Sequence, residues 1–301
     1  MTRFKVLLAV TMLLATFKSF AAKDPDCLDK DKEPTICSYE PNTFGFTKDS
    51  NAKKGFLDVN LSLRYEMFPD TVDKYLGRNT YLFLALSTRF GQYLGSDSAP
   101  VIGKRFNPKL FARLDRDWGR IDFGYAHESN GQAINSAAEF QAALATPKQA
   151  EFARDRISRG WDLLEVEVKH GPKCETEGGL CVYGDVKYFL HNGLFQGRAE
   201  EYNDWENDPE GKPRNQVNGL ATLIKYVTKG KVWKFDELKS AFKYETGYSH
   251  IFKYNTFRFE AGTRILKLPI DVWYQNGYNN NLAYYYKKLS SWGIELEIGS
   301  F

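Results

Sequence analysis

After residue 21 the chain has no apolar run long enough for a membrane-spanning helix, so any crossing of a bilayer falls to strands. Excess charge is missing too. The formal net charge is +3, and cleavage after Ala21 would remove Arg3, Lys5 and Lys18 but no acid, leaving the mature chain near neutral. That excludes the basic footprint of a nucleic-acid-binding protein. Histidine is scarce, and His127, His170, His191 and His250 show no spacing that completes a zinc set. There is no Gly-x-Ser-x-Gly elbow, phosphate-binding loop, dinucleotide fingerprint or His-Glu-x-x-His motif, which removes the commonest signatures of hydrolase, nucleotide and zinc-peptidase chemistry. The four cysteines form two close pairs, Cys27 with Cys37 and Cys174 with Cys181. In an exported chain these read as local disulfides, with metal-binding thiols as the rival reading.

Export is what the N-terminus predicts. Arg3 and Lys5 precede the apolar stretch 6–15, which is too short to span a bilayer, and Ser19-Phe20-Ala21 places small residues at a cleavage position. The division that follows is a signal peptide over 1–21, a polar periplasmic segment over 22–41 and a β-domain over 42–301.

The β-domain is marked by strict alternation. Leu57, Val59, Leu61, Leu63, Tyr65 and Met67 alternate with Asp58, Asn60, Ser62, Arg64 and Glu66. The pattern returns at Phe257, Phe259, Ala261, Thr263 and Ile265, and at Trp292, Ile294, Leu296 and Ile298. Residues 42–48 form a possible first strand, and weaker versions fall near 79–90, 106–115, 119–128, 158–169, 182–192, 216–228, 238–249 and 269–279. Period 2 signals a strand with one apolar and one polar face, and about twelve of them occur with no helices alternating between. A soluble sandwich and an outer-membrane barrel both fit. The connections favour the barrel: counted from a periplasmic N-terminus, the outer ones are mostly long and the inner ones include short turns near 116–118 and 266–268. Aromatic content is high at 15%, as membrane girdles require, and the chain ends on Phe301 directly after a strand, although out of parity with Ile298. The fold expected is an all-β, multi-pass transmembrane antiparallel barrel of about twelve strands in the outer membrane of a Gram-negative bacterium.

One stretch carries candidate chemistry. In Tyr125-Ala126-His127-Glu128-Ser129-Asn130-Gly131, His127 and Ser129 share a face with Ile121, Phe123 and Tyr125. That face is apolar, hence the lipid face of the fifth strand, where polar groups are costly without partners. In the sixth strand Asp162 shares its face with Leu164, Val166 and Val168, and antiparallel pairing could set it beside His127. Ser129 as nucleophile, His127 as base and Asp162 orienting the imidazole form a constellation for ester hydrolysis. The bland alternative is three rim residues solvated by head groups.

The motif from Gly124 to Gly131, followed by Ser158-Arg159-Gly160-Trp161-Asp162, resembles the outer membrane phospholipase A family. Pro41-Asn42-Thr43-Phe44, Ser98-Ala99-Pro100, Asn107-Pro108-Lys109-Leu110-Phe111 and the terminal strand add support over nearly the whole mature chain. The resemblance implies a calcium-dependent phospholipase A1/A2 in a twelve-stranded barrel that acts as a homodimer on membrane phospholipid. It implies Ser129 and His127 as the catalytic pair, with Ser98, Gln132 and Ser158 as calcium ligands. Three features depart from the family. Asp162 stands where it has asparagine, Gln132 where arginine is usual, and about 26 residues separate Gly131 from Ser158 where the family has only a few. Asn135 or Ser136 could therefore compete for the roles of Asp162 or Ser158.

Within that insert, Ser136 and Glu139 have capping-box spacing before helix-forming residues 137–145, and Thr146-Pro147 restarts a helix toward Arg156. A lid, an interfacial anchor and a solvated decoration all fit it. The acidic loop 193–215 adds Asp208 as a further calcium candidate through the family's second site. Two other functions stand beside the phospholipase: a non-enzymatic barrel (a pore or an inactive relative), and a soluble periplasmic β-protein.

Overall fold

The computed structural model describes residues 36–50, 55–77, 79–94, 101–171, 173–174, 176–190, 192–195, 219–233, 235–247, 251–265, 268–278 and 281–297. Residues 1–21, read above as a signal peptide, and Cys27, His191, His250 and the terminal Phe301 lie outside them. Twelve antiparallel strands close into a barrel: β1 Thr43–Asp49, β2 Phe56–Glu66, β3 Thr80–Tyr93, β4 Val101–Arg116, β5 Gly119–Ser129, β6 Gly160–His170, β7 Gly179–Leu190, β8 Leu220–Val232, β9 Phe235–Thr246, β10 Thr256–Ile265, β11 Leu268–Gly277 and β12 Leu289–Glu297. Each strand pairs with its neighbour in sequence, and β12 returns to β1 to close the ring. A two-residue strand, Ile36–Cys37, pairs with Tyr65 and Arg64 at the end of β2 and carries the β1 edge further along it. Cys37 is disulfide-bonded, and a second disulfide joins Cys174 to Cys181 in the β6–β7 turn.

The polarity of each strand is the reverse of a soluble protein's. On β2 the polar residues are buried, Asp58 at 7%, Ser62 at 2% and Arg64 at 4% exposure, while Leu61, Leu63 and Tyr65 are 39–43% exposed. Leu84 and Leu86 on β3, Phe123 on β5, Phe257 and Phe259 on β10, and Trp292 and Ile294 on β12 extend this apolar outer belt. A soluble sandwich would bury these side chains and solvate the charges, so the arrangement rejects that architecture. The charges are paired inside. Arg113 holds Asp122 in a two-bond fork at 2.8 Å and 2.8 Å, Arg89 Nε reaches Asp58 at 3.0 Å, and Lys239 reaches Asp271 at 2.6 Å. Lys109 and Lys187 both pair with Glu165. Tyr39, ahead of β1, enters this interior: its hydroxyl accepts from Lys109 Nζ at 2.8 Å and its ring lies 5.1 Å from Phe111.

The two ends differ. One carries tight turns such as 117–118, with a single short helix, α1 (Pro69–Leu76), between β2 and β3. The other carries the long connections, and there the barrel is plugged. Lumen-facing Ala126, Trp161, Leu163 and Phe189 pack with Tyr254, Leu282 and Tyr285 from two of those connections. Over this mouth sits the 130–159 insert. Its helix α2, Ala137–Ala145, has the expected bounds, and Ser136 Oγ accepts from Glu139 N–H at 3.3 Å. The Glu139 carboxylate accepts from Asn135 N–H at 2.7 Å, one residue ahead of the cap. The second helix is shorter than its sequence predicts. α3 stops at Pro147–Ala150, followed by turns and a 3₁₀ turn at Arg154–Arg156, because Ala153 and Ile157 are both drawn fully into a core with Ile134, Phe140, Ala143 and Ala283.

Candidate active site

The site lies at the long-loop end of β5 and β6, on the outer face. Antiparallel pairing places His127 opposite Asp162 and Ser129 opposite Gly160. Alternation sends Ala126 and Glu128 into the lumen and His127 and Ser129 outward. The imidazole Nδ1 lies 2.7 Å from Asp162 Oδ1. An ionised carboxylate only accepts, so the pairing assigns the ring proton to Nδ1 and leaves Nε2 as the basic nitrogen. Ser129 lies two residues along the same face, and its hydroxyl makes no hydrogen bond with the ring in this structure; such contacts are often loose before substrate binds.

Asp162 is fully buried on a face that elsewhere exposes large apolar side chains. Its cover comes from the connection after β7. The Phe195 main-chain N–H donates to Oδ2 at 2.9 Å, and Gly193 lies so close that a Cβ there would collide with the carboxylate. The Phe195 ring stands 5.5 Å from the His127 ring and 6.3 Å from Tyr125. The Tyr125 hydroxyl accepts from Leu194 N–H at 2.8 Å. Sequence reasoning put Tyr125 on the right face but gave it no role, and it missed Gly193 and Phe195 altogether. No periodicity ties those two residues to strand β6.

Behind the site, Glu128 braces the same strands from inside. It accepts from Trp161 Nε1 at 3.0 Å and pairs with Arg105 at 2.5 Å. The long insert leaves the register intact because Asn130 clasps its two ends. Asn130 Nδ2 donates to the Ile157 carbonyl at 2.7 Å, and its Oδ1 accepts from Arg159 N–H at 2.9 Å and Gln132 N–H at 3.3 Å. Main-chain bonds from Ile134 to the Arg156 carbonyl and from Ser158 to the Ile134 carbonyl continue the seam. Gly131 takes φ +54° beside it, a left-handed turn that favours glycine. Asn135 and Ser136, the rivals for site roles, are instead spent at the start of α2.

The clasp holds together the two ends of the insert, which carry Gln132 and Ser158. Their neutral oxygens are of the class calcium takes. The Ser158 carbonyl accepts from Arg159 Nη1 at 3.2 Å. Ser98 and Asp208 lie outside the described residues, and among the described residues no group of three or more His, Cys, Asp or Glu could hold a metal. These two residues fit a calcium ion in donor type, and a charged ligand would have to come from elsewhere.

No family model matches the chain, and no curated protein sequence does. Solved structures do. The chain is similar to outer membrane phospholipase A from Escherichia coli, in the structure of an active-site mutant, with a TM-score of 0.63 at 17% identity over 89% of this chain and 93% of that one. It is similar to the Salmonella typhi outer membrane phospholipase dimer with bound calcium, with a TM-score of 0.62 at 16% identity over 87% and 91% of the two chains. At such identities the likeness shows the fold: a barrel of the kind found in bacterial outer membranes.

Proposed function

We propose that the protein is an outer-membrane phospholipase that hydrolyses acyl esters of phospholipids, with Ser129 as nucleophile, His127 as base and Asp162 orienting the imidazole. The observation that carries this reading is a buried acid–imidazole pair beside a serine on the lipid-facing side of a barrel. A charge has no stabilising business on that face, so its burial is explained by chemistry done on lipid.

His127 Nε2 takes the Ser129 proton as Oγ bonds the ester carbonyl carbon, and the protonated ring then gives that proton to the departing glycerol oxygen. Water, deprotonated by the same nitrogen, cleaves the acyl-serine to release fatty acid. Calcium, when bound, supplies positive charge at the ester carbonyl oxygen, and Gln132 and Ser158, with Ser98 and Asp208, are the residues proposed to hold it. By analogy with the calcium-bound dimeric relative, the active form is a homodimer. The location is the outer membrane of a Gram-negative cell, with the long loops outward.

The test is fatty-acid release from detergent-solubilised phospholipid. Wild type is expected to hydrolyse with calcium and to stop with chelator, and Ser129→Ala is expected to lose roughly three or more orders of magnitude in rate. Full activity in Ser129→Ala would sink the reading.

A further inference from the structure

Two donors are seated on the Asp162 carboxylate. His127 Nδ1–H points at Oδ1 and Phe195 N–H at Oδ2, and the Tyr125 hydroxyl accepts from Leu194 N–H, which pins the main chain just ahead of Phe195. A carboxylate has about four lone-pair sites and can receive both. An amide cannot. With its oxygen toward His127, its NH₂ would face the Phe195 N–H, donor against donor. Turned over, its NH₂ would face Nδ1, which must then give up its proton to Nε2, and a protonated Nε2 is no base. Gly193 presses on the group from above, so neither amide orientation can shift away.

We infer that Tyr125 is a positioning residue which, with the main chain of Gly193–Phe195, forms a seat that requires a carboxylate at position 162 and rejects asparagine. This accounts for the aspartate standing where the resemblance leads one to expect an amide. It rests on the hydrolase reading for its kinetic consequences, but the seat itself has a readout that needs no turnover.

The experiment uses the full-length barrel in detergent, with Tyr125→Phe, Asp162→Asn and the double variant. Tyr125→Phe is expected to lower kcat roughly tenfold with apparent KM unchanged, and Asp162→Asn to lower it roughly a hundredfold or more. The double variant should be no worse than Asp162→Asn alone, because both act through one seat. In parallel, ¹⁵N shifts of the His127 imidazole, assigned by their loss in His127→Ala, should report Nδ1–H in wild type and a shift toward Nε2–H in Asp162→Asn. Wild-type-like activity with an unmoved tautomer in Asp162→Asn would overturn the inference, as would multiplying losses in the double variant. A wild type that hydrolyses nothing yet shows the expected tautomer change would instead leave the seat standing and remove the phospholipase reading.

Discussion

At Asp162 a charged group is completely buried where the barrel otherwise offers leucine and phenylalanine to its surroundings. Taking an ion out of water costs several kcal/mol, and donors on both oxygens are what make it tolerable. That makes Gly193 as important as any polar residue in the site. Gly193→Ala would drive a methyl into the carboxylate, a cost of about 1–3 kcal/mol that the connection or Asp162 must absorb by moving. The expected outcome is a fall in lipolysis of tenfold or more while the heat-modifiable gel shift of a folded barrel persists; unchanged activity would show that the contact does not hold the acid in place. That His127, Ser129 and Asp162 share the outer face was legible in the sequence, because strand parity fixes which residues share a face. The main-chain partner of Asp162 was not. Phe195 lies some 33 residues from it along the chain, in a connection whose residues follow no period.

The elements β5 and β6 should have been hard to register across a 26-residue interruption. The structure solves this with one side chain. Asn130 is 1% exposed and makes two bonds across the base of the insert, to Ile157 and Arg159, and one to Gln132 on its own side. The insert can thus fold as a helical lobe over the mouth without dragging Ser129 away from Gly160. Asn130→Ala would leave a buried carbonyl and two N–H groups short of partners, each worth about 1–3 kcal/mol. Limited proteolysis should then cut within 132–158 far faster than in wild type, and lipolysis should drop, while the thermal midpoint of the barrel stays within a few degrees. Wild-type protease resistance would contradict the clasp. Here the sequence yielded the helices and their cap but not the clasp, since an asparagine after a strand reads as an ordinary turn residue. Helix propensity also overran the end of α3, where burial of Ala153 and Ile157 decided the backbone instead.

At the scale of the whole molecule, alternation predicted the strand number but could not say which face looked inward, because sandwich and barrel share the same pattern. The connection lengths leaned toward the barrel, and the exposed apolar belt and buried ion pairs now decide it. The same interior bears on the rival reading of a pore. A conducting barrel keeps a continuous wet path, whereas this lumen is lined by paired charges and packed at the long-loop end by Trp161, Phe189, Tyr254, Leu282 and Tyr285. Trp161 meets Tyr285 at 5.2 Å and Phe189 at 6.0 Å, both edge to face, so the aromatic plug is packed and not merely crowded. Wild-type protein inserted in planar bilayers is therefore expected to give no steady ohmic conductance. Removing the loop half of the plug with Tyr254→Ala and Tyr285→Ala should at most produce small, flickering currents, because Ala126, Trp161, Leu163 and Phe189 still fill that end from the wall. A large, stable wild-type conductance would reverse this conclusion and restore the pore as the primary function.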